Sequence, residues 1–239
     1  VNLQASLPSP LLPAHRDAAA LSAYGTQLLQ ALAAQALPTD TGSAGQGLVE
    51  ALARIALALQ AAAPQALRRQ VGWWGRLLGH DVARQAEAEA LQSQLGVLLL
   101  QAHEQATRVR AQAVARDAVI EHAMQAAEAL QAWSDAGSAL LPDLGDAGAP
   151  LHEAFAQRLD HLRRLAALQR TEAGQWQLLL SQDHVLLARF DRIVDVLLPA
   201  WRQAALAHQA RDQVEQASQA ADLQEQIRAE VEAAHARLR

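Results

Sequence analysis

The stretch LGVLLLQAHEQATRVRAQAVARDAVIEHAMQAAEAL, from Leu95 to Leu130, contains no proline and one glycine, Gly96, and its reading decides the fold. Counting in sevens from Leu95 puts Leu95, Ala102, Val109, Arg116, Ala123 and Leu130 on one column. Counting from Leu99 puts Leu99, Ala106, Ala113, Ile120 and Ala127 on a second. Apolar residues repeating on two such columns form a seam along one side of a helix. Many of these positions are alanine, and small seam residues let helix axes approach to the short end of the usual range of about 8–10 Å. An antiparallel partner helix is expected along this seam. Arg116 is the exception, and its long side chain is expected to reach solvent or pair with an acid.

Working outward, the helix extends from Asp81 to about Trp133, roughly 80 Å at 1.5 Å per residue, which is too long for a compact globule. Ser134 to Pro150, SDAGSALLPDLGDAGAP, is rich in Gly, Pro and Asp and reads as the tip of a hairpin. Helical periodicity resumes from about Leu151 to the C-terminus, with Trp176, Leu179, Leu186, Phe190, Ile193, Leu197 and Trp201 as a continuous apolar stripe. Pro199 interrupts it. A proline has no N–H for the carbonyl of Asp195 and clashes with it, so a kink is expected there. Beyond Arg211 the stripe thins to Val214, Leu223, Ile227 and Val231, and this tail is expected to fray or to need a partner helix.

Upstream, AHRDAAALSAYGTQLLQALAAQAL reads as a first helix, closed by the turn-rich PTDTGSAGQG. A second helix is expected from about Gln46 to Ala62. Pro64 then restarts the chain at the first turn of a short third helix that stops near Gly79. The fold class is therefore all-α: an elongated antiparallel helical hairpin, a coiled-coil-like bundle, with a small head of short N-terminal helices. The head is expected over residues 1–80 and the hairpin over 81–239, with its tip at about 134–150.

Composition agrees with that fold and excludes several kinds of chemistry. Hydrophobic residues make up 51% of the 239, yet aromatics are only 3%, because the apolar total is mostly Ala and Leu, the residues of helices and helix seams. All twenty basic residues are Arg, against 25 acids and a net charge of -5, so nucleic acid is not an expected partner. With no Cys there is no disulfide, no thiolate nucleophile and no zinc–thiolate site. The longest apolar runs, such as Val97 to Leu100, fall far short of the roughly 18 residues a spanning helix needs. The N-terminal VNLQASLPSPLLP lacks a basic start followed by an apolar block, so the expected location is cytoplasmic, with peripheral attachment at the inner membrane as the alternative.

RRQVGWWGRLLG, from Arg68 to Gly79, is the strongest candidate for a contact surface. On a helical wheel Leu67, Val71, Trp74, Leu77 and Leu78 share an arc, Trp73 sits at its border, and Arg68, Arg69 and Arg76 lie opposite. Packing against the long hairpin is the leading explanation, since an amphipathic helix in a helical protein usually covers core. A partner or self-association surface comes next, because Trp and Arg are favoured interface anchors. Membrane-surface binding comes third, weakened by few charges and two glycines. Arg69 and Trp73, four apart, suit a cation–π pair under any of the three.

Three segments together resemble the TelA family of bacterial toxic-anion (tellurite) resistance proteins. They are AYGTQLLQAL with DTGSAGQGLVEAL, then VGWWGRLLG, and then QWQLLLSQDHVLLARFDRIVDVLLPAWRQAALA, in which Pro199, Trp201 and Arg202 resemble a Pro-x-Trp-basic signature. The chain departs from the family in lacking Lys altogether. The resemblance implies an α-helical cytoplasmic protein linked to tellurite tolerance and carries over no catalytic residue. For Pro199 and Trp201 the residues themselves suggest a kink and a packing anchor, with a hinge or partner groove as the alternative.

Nine histidines raise a metal site, but no His-Glu-x-x-His occurs, and the sole Glu-x-x-His, Glu232 to His235, has no second copy. No metal and no cofactor are expected. The arginine pairs Arg68–Arg69 and Arg163–Arg164 could fork onto an oxyanion, though solvated helix faces are the first reading. Reducing tellurite needs a soft nucleophile or an electron carrier, and the chain offers a single thioether, Met124. A non-enzymatic scaffold or adaptor with protein partners is the leading expectation. An oxyanion-binding or ligand-binding module with a basic pocket between head and rod, and a peripheral membrane-associated stress protein, are the alternatives.

Overall fold

A computed structural model describes residues 7–13, 17–35, 44–68, 80–144, 149–210 and 214–236, and among them every regular element is helical. The chain is all-α. Its elements are α1 (Ala18–Ser22), α2 (Thr26–Ala34), α3 (Ala44–Arg68), α4 (His80–Ser138), a 3-10 turn (Pro142–Leu144), α5 (Ala149–Arg192), a π-helical turn (Ile193–Leu197), α6 (Leu198–Ala210) and α7 (Val214–Ala236). α4 alone runs for 59 residues and α5 for 44. Of the expected seam positions on α4, Leu95, Ala102, Ala106, Val109, Ala113, Ile120, Ala123, Ala127 and Leu130 are all buried. Leu99 and Arg116 are half-buried.

The helices form two compact units, one made of residues 1–40 and 115–180, the other of 41–114 and 181–239. The segment 1–80 is accordingly shared: α1 and α2 belong to the first unit and α3 to the second.

In the first unit, α1, α2, the second half of α4 and the first part of α5 enclose Leu21, Tyr24, Leu28, Leu130, Trp133, Phe155, Leu159, Leu162 and Ala166. The expected single helix over 14–37 is two helices here. Gly25 adopts φ 76°, a left-handed conformation open to glycine at little cost, and the chain turns there between α1 and α2. Asp17 starts α1 by accepting the N–H of Ala20 at 2.7 Å. The expected tip also begins later than Ser134, because Ser134 to Ser138 complete α4. Gly137 acts as a packing residue there. A Cβ at Gly137 would stand 2.5 Å from Leu159 Cδ2 and 2.9 Å from Tyr24 Cε1, so its small size lets the helix fit beneath those side chains.

In the second unit, the core joins Leu48, Val49, Leu52, Ile55 and Leu59 of α3 to the first half of α4, the end of α5, the π turn and α7. α3 continues as one helix through Pro64, where a second helix ending near Ala62 and a restart were expected. The proline removes one hydrogen bond close to the helix end without breaking it. The thin stripe of the tail finds its partner within the chain: Ile227, Val231 and Ala234 of α7 are buried in this core, and α7 packs on α3, the π turn and α6.

Candidate functional site at the π turn

Of the residues singled out in the sequence, Arg69, Val71, Trp73, Trp74, Arg76 and Leu77 lie outside the described residues, as does the side chain of Arg68. Pro199, Trp201 and Arg202 lie within them, at the junction of α5, the π turn and α6.

Sequence dictates the local geometry. Residue 199 supplies no N–H, so the helix cannot make the bond that would end on the carbonyl of Asp195. The chain widens by one residue just before it: the N–H of Leu198 donates to the carbonyl of Ile193, five residues back. Where a kink was expected at Pro199, the helix makes a π turn, a feature frequent at functional sites. The widened turn keeps Ile193, Leu197 and Leu198 buried in the core and leaves Val196 and Pro199 exposed. Trp201, partly buried, packs against the same core. Arg202 is half-buried.

Two sets of charges flank the turn. Glu230 of α7 accepts from Arg189 Nη1 and, at 2.9 Å, from Arg192 Nη1, so one carboxylate ties two arginines of α5 to α7. Arg189 and Glu230 are 22% and 16% exposed, shielded enough for the pair to resist screening by salt. On another side, Arg110 of α4 donates to Asp191 at 2.8 Å, and its guanidinium lies 5.9 Å from the centroid of the Phe190 ring. His103 meets the same ring edge-on at 5.1 Å, and its Nδ1 lies 2.8 Å from the carbonyl of Leu99. Phe190 is therefore packed between core and cation, a favourable place for an aromatic face.

The other candidate groupings are kept apart. Glu232 accepts from Arg228 Nε at 2.8 Å, on the exposed face of α7, and His235 is exposed one turn on. Arg164 pairs with Asp160 at 2.6 Å, while Arg163 donates to Ser138 Oγ at 2.7 Å, so these two guanidinium groups do not share one anion fork. Among the described residues no group of three or more His, Asp or Glu is arranged to hold a metal ion. No described helix is long and apolar enough to cross a membrane. Glu230 escaped the sequence reading because nothing local marks it. Its role depends on α7 folding back beside α5, and the only hint was the spacing of Arg189 and Arg192, three apart on one side of a helix.

These features define a class: an all-α protein of long helices packed through small-residue seams, with α5 and α7 fastened beside a π turn by shared ion pairs. The chain is similar to Protein KlaA of Escherichia coli, with 30% identity over 169 residues, covering 67% of this chain and 66% of that protein. It thus spans just under two thirds of the length of that curated relative. No family model matches the chain. No solved structure matches it either.

Proposed function

We propose that this chain is a non-enzymatic helical scaffold or adaptor of the TelA-like family, associated with tolerance of tellurite and related toxic anions. The likeness to KlaA and the ordered resemblance of three segments support the family. The observation that carries the scaffold reading is the engagement of Arg110, Arg189 and Arg192. Each is already met by a carboxylate of the same chain, Asp191 or Glu230, and each such pair joins one helix to another. Charges placed this way fix how helices sit against one another; an incoming oxyanion would have to displace a carboxylate to reach them. Trp201 contributes to the same framework from the Pro-x-Trp-basic segment.

The test is direct. Purified protein is incubated with tellurite and a reductant, and turnover is compared with a heat-denatured control; equal rates are expected, and a clear excess from the native protein overturns the reading. Titration of tellurite, selenite and phosphate against the fluorescence of the five tryptophans is expected to give no saturable response. Saturation by one of them would favour an anion-binding module instead.

A further inference from the structure

α4 carries a second seam, on the side opposite the buried one. Stepping by three and four from Val97 gives Leu100, Glu104, Thr107, Ala111 and Val114, two residues or about 200° around the helix from the inner columns. All six are exposed, and the three largest apolar ones heavily so: Val97 56%, Leu100 64% and Val114 72%. A solvated helix face has no need of apolar residues at heptad spacing. Beside this face stands Gly96, in the helix interior, where a Cβ would meet nothing within 4 Å. Packing among the described residues does not explain that glycine, and in mid-helix it costs about 1 kcal/mol relative to alanine. It fits a face that another helix approaches closely.

We infer that this face of α4 is where a second copy of the chain docks, antiparallel, about a two-fold axis between residues 105 and 106. In an antiparallel pair the two heptad columns face each other. Placing the axis there sets Val97 against Val114, Leu100 against Ala111 and Glu104 against Thr107, and the two-fold repeats each pair. No apolar residue in this register faces a charge. The register also places Glu104 beside Arg108 of the partner subunit, one residue from Thr107, so both copies gain an opposite-charge contact from the only two charges flanking the centre of the face. A parallel pairing places His103 against Arg108 and gains nothing. Such a surface is isologous and closes as a dimer. This inference does not depend on the scaffold reading.

The test is the mass of the full chain in solution, by sedimentation and light scattering. A dimer, twice 25.6 kDa, is expected at a concentration on the order of 100 µM. Leu100→Glu and Val114→Glu, both at exposed positions, should abolish it while helical circular dichroism is unchanged. Glu104→Arg or Arg108→Glu alone puts like charges opposite each other and should weaken the dimer about tenfold or more, and the double substitution should restore it. Because the chain has no cysteine, Val97→Cys and Val114→Cys proteins can report orientation. Mixed and oxidised, they should join to each other, and neither should join to itself. A monomer at that concentration, a dimer indifferent to Leu100→Glu and Val114→Glu, a failed charge-swap rescue, or self-joining of Val97→Cys would each overturn the inference.

Discussion

The two compact units solve the same packing problem with different materials. In the unit of residues 1–40 and 115–180, three aromatic rings meet: Tyr24 lies 5.2 Å from Trp133 and 5.5 Å, edge-on, from Phe155. Each polar handle on these rings is used. The Tyr24 hydroxyl donates to the carbonyl of Trp133 at 2.7 Å, and Trp133 Nε1 donates to the carbonyl of Pro8 at 2.9 Å, tying the segment before α1 to α4. Arg158 adds a bond from Nε to the carbonyl of Tyr24 at 2.8 Å, at the Gly25 turn. In the unit of residues 41–114 and 181–239 the core is mostly Leu, Ala, Val and Ile, with the ring of Phe190, and the directional bonds are ion pairs between helices. Aromatic rings give large buried area and a specific orientation from few residues. Small aliphatic residues give close approach without orientation, and ion pairs then supply the register.

That contrast is most sharply broken by deleting a ring. Phe155→Ala removes a fully buried side chain from a three-ring cluster, and a loss of about 3–5 kcal/mol is expected in denaturant unfolding. A loss well below that range would mean that the neighbouring side chains collapse into the space the ring leaves. Next in size is Glu230→Ala. It leaves Arg189 and Arg192 without their shared carboxylate, and roughly 2–3 kcal/mol is expected from lost charge-assisted bonds to a well-shielded group. The double variant with Arg189→Ala should lose less than the sum of the two single changes, which a double-mutant cycle measures.

The aromatic unit also carries a pH signature. Burial pushes the Tyr24 phenol up from 10.0 to about 12, with the backbone N–H of Gly137 opposing in part. A raised folded pKa means the neutral form is the one the fold favours. The contribution is fully present below pH 10 and is lost as pH rises through about 12, amounting to at most about 3 kcal/mol. Tyr24→Phe should remove this alkaline loss, and should itself cost about 1 kcal/mol at neutral pH for the missing bond to Trp133. A second unit unfolding ahead of the first between pH 10 and 12 would contradict the assignment.

The inner seam of α4 was legible because it is a local periodicity, and nine of its eleven positions are buried as the pattern requires. The breaks were harder to see. Gly25 and Gly137 are the same residue type, yet one turns the chain through a left-handed backbone and the other sits within α4 because Leu159, Tyr24 and Phe155 crowd it. Only the tertiary neighbour separates these two uses. Pro64 and Pro199 teach the same lesson: α3 continues through the first, and a π turn absorbs the second. At the candidate site, Pro199 and Trp201 were visible as sequence, whereas Glu230 and Asp191 acquire meaning from helices far apart along the chain. Long-range charge pairing leaves no local signal.

The smallest expected effect separates buried from exposed fastening within the second unit. Arg110 and Asp191 are each 48% exposed, so their attraction acts through solvent of high dielectric and is screened by salt. Asp191→Asn should therefore cost less than about 1 kcal/mol, and that cost should fade as sodium chloride is raised toward about 1 M. The Arg110 guanidinium would keep its place near the Phe190 ring, an attraction that does not require the carboxylate. Glu230→Ala, by contrast, should keep the larger part of its cost at high salt, because Glu230 and Arg189 are shielded, while the share from the exposed Arg192 should fade. Equal salt sensitivity of the two variants, measured by urea unfolding at low and high ionic strength, would mean that the α5–α7 fastening is as wet as the α4–α5 one. The π turn would then lie beside a loose joint.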